Sequence, residues 1–302
     1  MASVSADQVV FSLSREATPV VRVRAGETVV LETADCFSGQ VRSVDAALDS
    51  VDWTHVNPAS GPVYVEGAEP GDVLVARIER LEVVSPGVMA VSDGFGVLSR
   101  RFAGMAFQMV DIDGDAASVS GASVPVRPMI GVIGVAPAGD PVPCGSPGPH
   151  GGNMDTKLIG EGATVYLPVS APGALLAAGD LHAAMGDGEI CGTGVEVAGR
   201  VTLVVDVRRD LALVNPVVET ADVVATIASA ETLDEAAELA TRDMADLLMG
   251  RLGLSAADAT MLMSAAGQLQ VSQVVDPLKT ARFALSQEVL RATCSDASLG
   301  PC

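Results

Sequence analysis

A chain of 302 residues that is 49% hydrophobic and only 3% aromatic has ample material for a core and room for one large domain or two to three smaller ones. With 18 Lys and Arg against 38 Asp and Glu, its formal net charge of −20 repels nucleic acid and anionic membrane surfaces, so a small or neutral ligand is the expected partner. Five dispersed cysteines (Cys36, Cys144, Cys191, Cys294, Cys302) without CxxC spacing read as reduced thiols, and the N-terminus lacks the basic and apolar regions of a secretory signal, so a cytoplasmic protein is expected.

Residues 8–32 alternate apolar and polar positions about Ala25-Gly26-Glu27, which predicts a hairpin with Val21, Val23, Val29 and Leu31 facing the core. Its second strand delivers Asp35 and Cys36 to a loop, and residues 38–58 are polar and hold the only tryptophan, Trp53, with His55. Strand, turn and strand follow over 57–83 about Glu69-Pro70-Gly71-Asp72, with Glu66 at a strand end. Residues 85–110 read as a Gly-rich loop that resumes as a strand at Phe102. Asp111 to Asp115 invites a calcium-loop reading, but Ala116 stands where the loop glycine belongs and Ala122 where a Glu is needed. A hairpin turn is expected there instead.

Val124–Ala136 is apolar, and the Pro/Gly-rich run 137–153 has the length typical of functional loops. The uncharged run 162–179 approaches membrane-spanning length, yet Pro168, Pro172 and Gly173 interrupt it, so it reads as buried strand and turn. Residues 191–210 alternate again about Ala198-Gly199-Arg200. A helical period first appears at Thr232: Leu233, Ala236, Ala237, Ala240, Met244, Leu247 and Leu248 share a face, Thr232 and Glu235 form a capping box, and Gly250 is the predicted stop. Ser255 caps a second helix reaching Ala265. The expected fold class is α+β, predominantly β with sandwich- or barrel-like sheets, divided into a β-rich region 1–215 and a smaller α/β region 216–302 with two helices.

The densest set of candidate ligands lies in 150–155 and 179–189, which hold two of the three histidines with Asn153, Asp155, Asp180, Asp187 and Glu189. If 174–182 is a strand, Asp180 and His182 share a face, and a Gly-rich reversal returns Glu189 beside them. An imidazole flanked by two carboxylates is a set that holds zinc and leaves a position open for water. The competing account makes these carboxylates solvated turn residues and His182 a hydrogen-bonded core side chain. Asp35, at the end of an apolar strand, is either paired or ligated or the first residue of a loop. His55 is a loop residue or a wall of a substrate pocket. HExxH, GxSxG and phosphate-binding loops are absent, and GDGEICGTG lacks GxGxxG spacing. Cys144 before His150 and Cys191 after Glu189, with Lys157 nearby, leave a cysteine nucleophile as an alternative.

NPASGPVYVEGAEPGD, HGGNMD, the run Gly162–Val169, GALLAAGDLHAAMGDGEICGTGVE and MLMSAAGQLQVSQVVDP, collinear over about residues 20–290, together resemble the acetamidase/formamidase family of amide hydrolases. The resemblance implies a β-rich homo-oligomer that binds a divalent metal and hydrolyses formamide, acetamide or a similar short aliphatic amide to carboxylate and ammonia. Zinc is the expected ion ahead of calcium or magnesium. Asp35, His150, Asn153, Asp155, Asp180, His182 and Glu189 fall at the family's acidic and histidine-bearing positions. On that footing the expected metal ligands are Asp35, Asp155, Asp180 and His182. The expected catalytic residues are Glu189 as general base, Asn153 and His150, and the expected substrate contacts are Gly151, Gly152 and His55. The two glycine amides, with Asn153, would meet the oxyanion. The expectation requires His150 and His182 to converge on one cation. A cysteine-nucleophile amidase and a non-catalytic metal-binding β-sandwich, its carboxylates bracing loops around Ca²⁺, stay open as alternatives.

Overall fold

The computed structural model describes residues 1–46 and 51–293. Two open nine-stranded sheets enclose one core. In spatial order the first comprises Ala2–Val4, Thr28–Thr33, Gly199–Arg208, Val73–Val83, Thr164–Pro168, Val217–Glu219, Val223–Ala230, Lys279–Ser286 and Gln268–Gln273. The second is built on Leu176–His182. Met129–Gly134 pairs along one edge of that strand, and Ala59–Glu66 and Glu196–Val197 share the other. Gly151–Asn153 extends this sheet on one side, and Gly87–Ser92 and Met105–Val110 on the other. The β-rich expectation holds, as open sheets and not as a barrel.

Side-chain alternation sorts the two faces of the first sheet. Leu74, Ala76 and Ile78 point into the sandwich with Leu31, Val165 and Leu203, where they meet Val63, Ile130, Leu176 and Leu181 of the second sheet. Val73, Tyr166, Val217 and Val224 point outward and are covered by Ala240, Met244 and Leu248 of the helix Leu233–Leu252. Thr232 caps that helix through the expected box, its Oγ1 accepting from Glu235 N at 3.2 Å. The stop is Gly253, at φ +64°, and not Gly250, which lies inside the last turns. A glycine within a helix costs only about 1 kcal/mol relative to alanine, too little to end one whose apolar face continues through Leu252. Ser255 caps the second helix, Ala256–Ala266. Among the described residues, the strands beyond residue 215 continue the first sheet, since Val217–Glu219 pairs with Thr164–Pro168.

Three of the predicted strand–turn–strand units are corners between the sheets and not hairpins. Val21–Arg24 pairs in parallel with Ala59–Glu66, whereas Thr28–Thr33 lies in the opposite sheet beside Gly199–Arg208. The chain crosses in the same way from Ala59–Glu66 to Val73–Val83 and from Glu196–Val197 to Gly199–Arg208. Alternation marks which face a strand buries, but both strands of such a corner bury a face in the same interior, so their pattern matches that of a hairpin. Residues 85–110 also hold more strand than expected, because Gly87–Ser92 pairs with Met105–Val110. The stretch 111–115 is the expected hairpin, with Asp113 paired to Ala116 around Gly114 at φ +58°. Among the described residues no helix is long and apolar enough to cross a membrane.

Candidate active site

His182 ends the central strand of the second sheet, and four carboxylates converge on its ring. Its Nε2 lies 3.2 Å from Glu196 Oε1, 3.7 Å from Asp180 Oδ1, 3.8 Å from Asp155 Oδ1 and 4.0 Å from Glu189 Oε1. All five side chains are buried. Asp276, in the turn after Gln268–Gln273, joins them by accepting from Asn153 Nδ2 at 3.0 Å.

The backbone makes room for this crowding. Leu181 and Gly179 pair with Ile130 and Val132, which sets Asp180 opposite Gly131. A Cβ on Gly131 would stand 2.5 Å from Asp155 Oδ1 and 2.7 Å from Asp180 Oδ2, so the missing side chain is the space the two carboxylates occupy. Gly194 lies as closely against the His182 ring, where a Cβ would be 2.6 Å from Cγ. Asp155, Asp180 and Glu189 have φ of +42°, +55° and +45°. Left-handed backbone at a non-glycine residue costs roughly 1–3 kcal/mol and persists only where the surrounding fold enforces it.

The loop carrying Glu189 is docked on its neighbours. Gly188 N donates to Ser272 O (2.7 Å), Val274 N donates to Gly188 O (3.1 Å), and Asp187 accepts from Arg282 Nη2 (2.8 Å) and Lys157 Nζ (2.9 Å). Asp187, a candidate ligand by composition, is therefore a brace between two cations.

Burial dominates the electrostatics. It pushes Asp155 and Glu196 each up to about 7 against the pull of His182, and it raises Glu189 and Asp276 well above the carboxylate range with the help of the Asp155 charge. Burial alone would favour a neutral His182, but Glu196 and Asp180 outweigh it and hold the imidazole protonated above its ordinary range. Both oxygens of Asp155, Asp180 Oδ1, Glu196 Oε2 and both His182 ring nitrogens are buried without a hydrogen-bond partner among the described residues. Buried polar atoms are nearly always paired. Hard oxygen donors and an imidazole left unpaired about a common centre fit a divalent cation, whose charge would offset theirs. Asp155, His182 and Glu189 form one ligand-spaced triad, and Cys36, Asp180 and Glu196 a second, with donor atoms within 4.8 Å of one another in each.

A cavity of about 360 Å³ opens over this cluster. Asn153, Asp180, Glu189, Glu196 and Asp276 form its polar floor, and Asp155 and His182 lie behind that floor.

The structure thus brings together Asn153, Asp155, Asp180, His182 and Glu189, and leaves out the other expected residues. His150 does not converge on His182. His182 pairs across from Met129, while His150 lies beyond Gly134, where its carbonyl accepts from Val135 N at 3.0 Å. That separation is roughly 20 Å along the strand at about 3.3 Å per residue, too far for one ion. His150 borders a different cavity, beside Pro147, Ser170 and Leu278, and burial pushes its ring down to about 4.

Asp35 closes a turn, its Oδ1 accepting from Phe37 N (2.9 Å) and Gly39 N (3.1 Å), and the next residue, Cys36, is the one that reaches the cavity. His55 is exposed and holds Asp52 Oδ2 at 2.7 Å, while Trp53 and Val56 on either side of it line the cavity. Gly151 N is committed to Gly148 O (3.0 Å), Gly152 pairs with Ile133 in the sheet, and neither glycine lines the cavity. Cys144 is a core residue whose Sγ donates to Val10 O (3.4 Å) and which burial pushes up to about 12, far from a thiolate at neutral pH. Cys191 lines the cavity with its Sγ turned to Thr193 O (3.4 Å). Cys36, Cys144 and Cys191 are unpaired, and Cys294 and Cys302 lie outside the described residues.

Glu196, Asp276 and Cys36 were not expected in the cluster. Glu196 carries a readable signal, a charge between Val195 and Val197 in an apolar strand pattern, which is costly unless compensated. Asp276, following Val274 and Val275, carries a weaker version of the same signal.

An open β-sandwich with one imidazole and buried acids beneath a small cavity is an α+β protein built around a small-molecule site. The chain belongs to the acetamidase/formamidase family, whose model matches residues 13–142 and 142–290. It is 31% identical to a protein of Schizosaccharomyces pombe named as a formamidase, with 63% of each chain covered. It superposes with a TM-score of 0.94 on a protein of Thermoanaerobacter tengcongensis described as a predicted acetamidase/formamidase, at 52% identity over 97% of both chains. An acetamidase of Bacillus halodurans gives the same TM-score at 48% identity, over 97% of this chain and 99% of that one. The chain spans about two thirds of the length of the curated relatives it matches.

Proposed function

We propose that the chain hydrolyses a carboxamide, RCONH₂ + H₂O → RCOO⁻ + NH₄⁺, with a divalent cation held by Asp155, Asp180 and His182. The observation that carries this reading is the set of buried, unpaired acid oxygens around His182 under a cavity that Glu189 faces. Family membership and the formamidase and acetamidase names of the relatives support the choice of amide. One imidazole among carboxylates suits zinc best.

When bound, the cation supplies Lewis acidity, polarising the carbonyl and acidifying the attacking water. Glu189 takes the proton from that water and returns it to the departing nitrogen, a step that matters because an amide nitrogen leaves poorly without a proton. Burial and the Asp155 charge raise the Glu189 carboxyl, and a cation beside it would favour the ionised form that accepts the proton. Asn153 spends one N–H on Asp276 and offers the other to the carbonyl oxygen as charge develops there. Glu196 Oε1, which accepts from Gly194 N at 2.7 Å, stands 3.2 Å from His182 Nε2 and holds the ring in place.

The test is ammonia release from formamide and acetamide before and after chelation. Glu189→Gln should lower kcat/KM by about 10²–10⁴-fold with metal content unchanged, whereas Asp155→Asn and His182→Ala should lose metal and activity together. If Glu189→Gln also loses the metal, Glu189 is a ligand. If zinc-loaded protein releases no ammonia, the carboxylates only brace loops around an ion. Chelator-insensitive release abolished by Cys191→Ser would establish the cysteine nucleophile instead.

A further inference from the structure

The cavity over the acid cluster is larger and more apolar than formamide or acetamide requires. At about 360 Å³ it lies in the roughly 300–1,000 Å³ range of pockets that enclose ligands well beyond the smallest amides. Away from the acids its wall includes Phe37, Trp53, Val56, Ala90, Phe95 and Met105.

That wall is held in shape. Phe37 packs edge-on against Phe107 with ring centroids 5.7 Å apart. Phe95 is seated directly on Gly192, where a Cβ would collide with its ring. Phe95 N donates to Ser92 O (3.3 Å) and Val97 N donates to Ile190 O (2.8 Å), which ties the Phe95 loop to the segment that carries Glu189. Trp53 sits in a short turn capped by Asp52, which accepts from Thr54 N (2.9 Å) and grips the His55 ring at 2.7 Å. Trp53 and Phe95 nevertheless stay 50% and 45% exposed. Two half-exposed aromatic side chains beside a polar floor gain by covering an apolar group that the floor does not need.

The geometry points to a substrate whose amide sits on the acids and whose ring-sized apolar substituent fills the space between Trp53 and Phe95. This inference rests on the amide-hydrolase reading and adds the substrate class. Water adds to the carbonyl carbon, the C–N bond breaks, and the products are a carboxylate and ammonia or an amine. The ring leaves with the acyl half in an arylacetamide and with the nitrogen half in an N-benzyl amide.

Steady-state kinetics of the Zn²⁺-supplemented protein with formamide, acetamide, phenylacetamide and N-benzylacetamide, read as ammonia or benzylamine release, test this and identify which half carries the ring. One added methylene in a fitted apolar pocket is worth about 10–200-fold in kcat/KM. At least one ring-bearing amide should therefore exceed acetamide by tenfold or more. Trp53→Ala and Phe95→Ala should each shrink that ratio, chiefly through KM, with Phe95→Leu retaining part of it; both positions are exposed enough for the fold to tolerate the change. If acetamide is as good a substrate as both ring-bearing amides, or the ratio survives both alanine substitutions, the inference is overturned while amide hydrolysis stands. Release from none of the four amides would overturn the hydrolase reading and this inference with it.

Discussion

Around His182 Nε2, oxygens of Asp155, Asp180, Glu189 and Glu196 lie between 3.2 and 4.0 Å, all in buried side chains. One imidazolium offsets only one of those charges, and burial penalises the remainder. This imbalance is the physical reason both for the raised carboxyls and for the fit to a cation. His150 is a separate case, a ring that burial alone pushes down to about 4. Unfolded, it titrates near about 6.5. As pH falls from about 6.5 to 4 the unfolded chain takes up a proton that the folded chain refuses, so this residue makes stability fall with pH. At about 1.4 kcal/mol per unit the effect is roughly 3 kcal/mol by pH 4. Denaturant unfolding at pH 7 and pH 4 should show His150→Gln less acid-sensitive than wild type by about that amount. Equal acid sensitivity would mean that the ring is not buried in its neutral form.

At the scale of elements, the cluster depends on Met129–Gly134 and Leu176–His182 approaching each other without a side chain between them at Gly131. Gly131→Ala places a methyl where two carboxylate oxygens stand. Overpacking of this kind costs about 1–3 kcal/mol, and the expected relief is displacement of Asp155 and Asp180. Metal stoichiometry should fall and activity drop by more than tenfold while far-UV circular dichroism is unchanged. A variant with full metal content and activity would show that the two carboxylates do not share that space. The loop of Glu189 is positioned differently, through Arg282 and Lys157 on Asp187 and backbone bonds to Ser272 and Val274. Glu189 is thus held by the C-terminal strands of the first sheet, although the rest of the cluster hangs largely on the second.

For the whole molecule, a net charge of −20 with several acids buried makes the folded state sensitive to what neutralises them. Asp155 and Glu196 titrate at about 7 in the fold and near about 4 in the unfolded chain. Between those values the folded chain holds the extra protons, so metal-free stability should fall as pH rises from about 4 to about 7. A bound cation replaces those protons with fixed positive charge. The Tm of chelated protein should therefore drop between pH 5 and pH 8, and the Tm gain on adding Zn²⁺ should grow over the same interval. His150 contributes equally to both forms and cancels from the difference. A Zn²⁺ gain that does not change with pH would place the ion away from these carboxylates.

Much of this molecule is readable from its chain because the relevant physics is local. Alternation marks the core-facing Val21, Val23, Val29 and Leu31, the Thr232–Glu235 box starts the long helix, and the motifs at 150–155 and 179–189 flag Asp155, Asp180, His182 and Glu189 as residues of the candidate site. What tertiary structure alone decides is which strands become neighbours. The turn at Gly26 joins two sheets and not two partners, and Asn153 meets Asp276 across 123 residues. His150 and His182, close in sequence, end up toward opposite ends of Met129–Gly134, while Glu196, Asp276 and Cys36 arrive at the site from elsewhere. Periodicity reports how a residue faces its own strand and carries no information on the strand beside it. Sheet pairing chooses that neighbour, and with it the membership of the acid cluster.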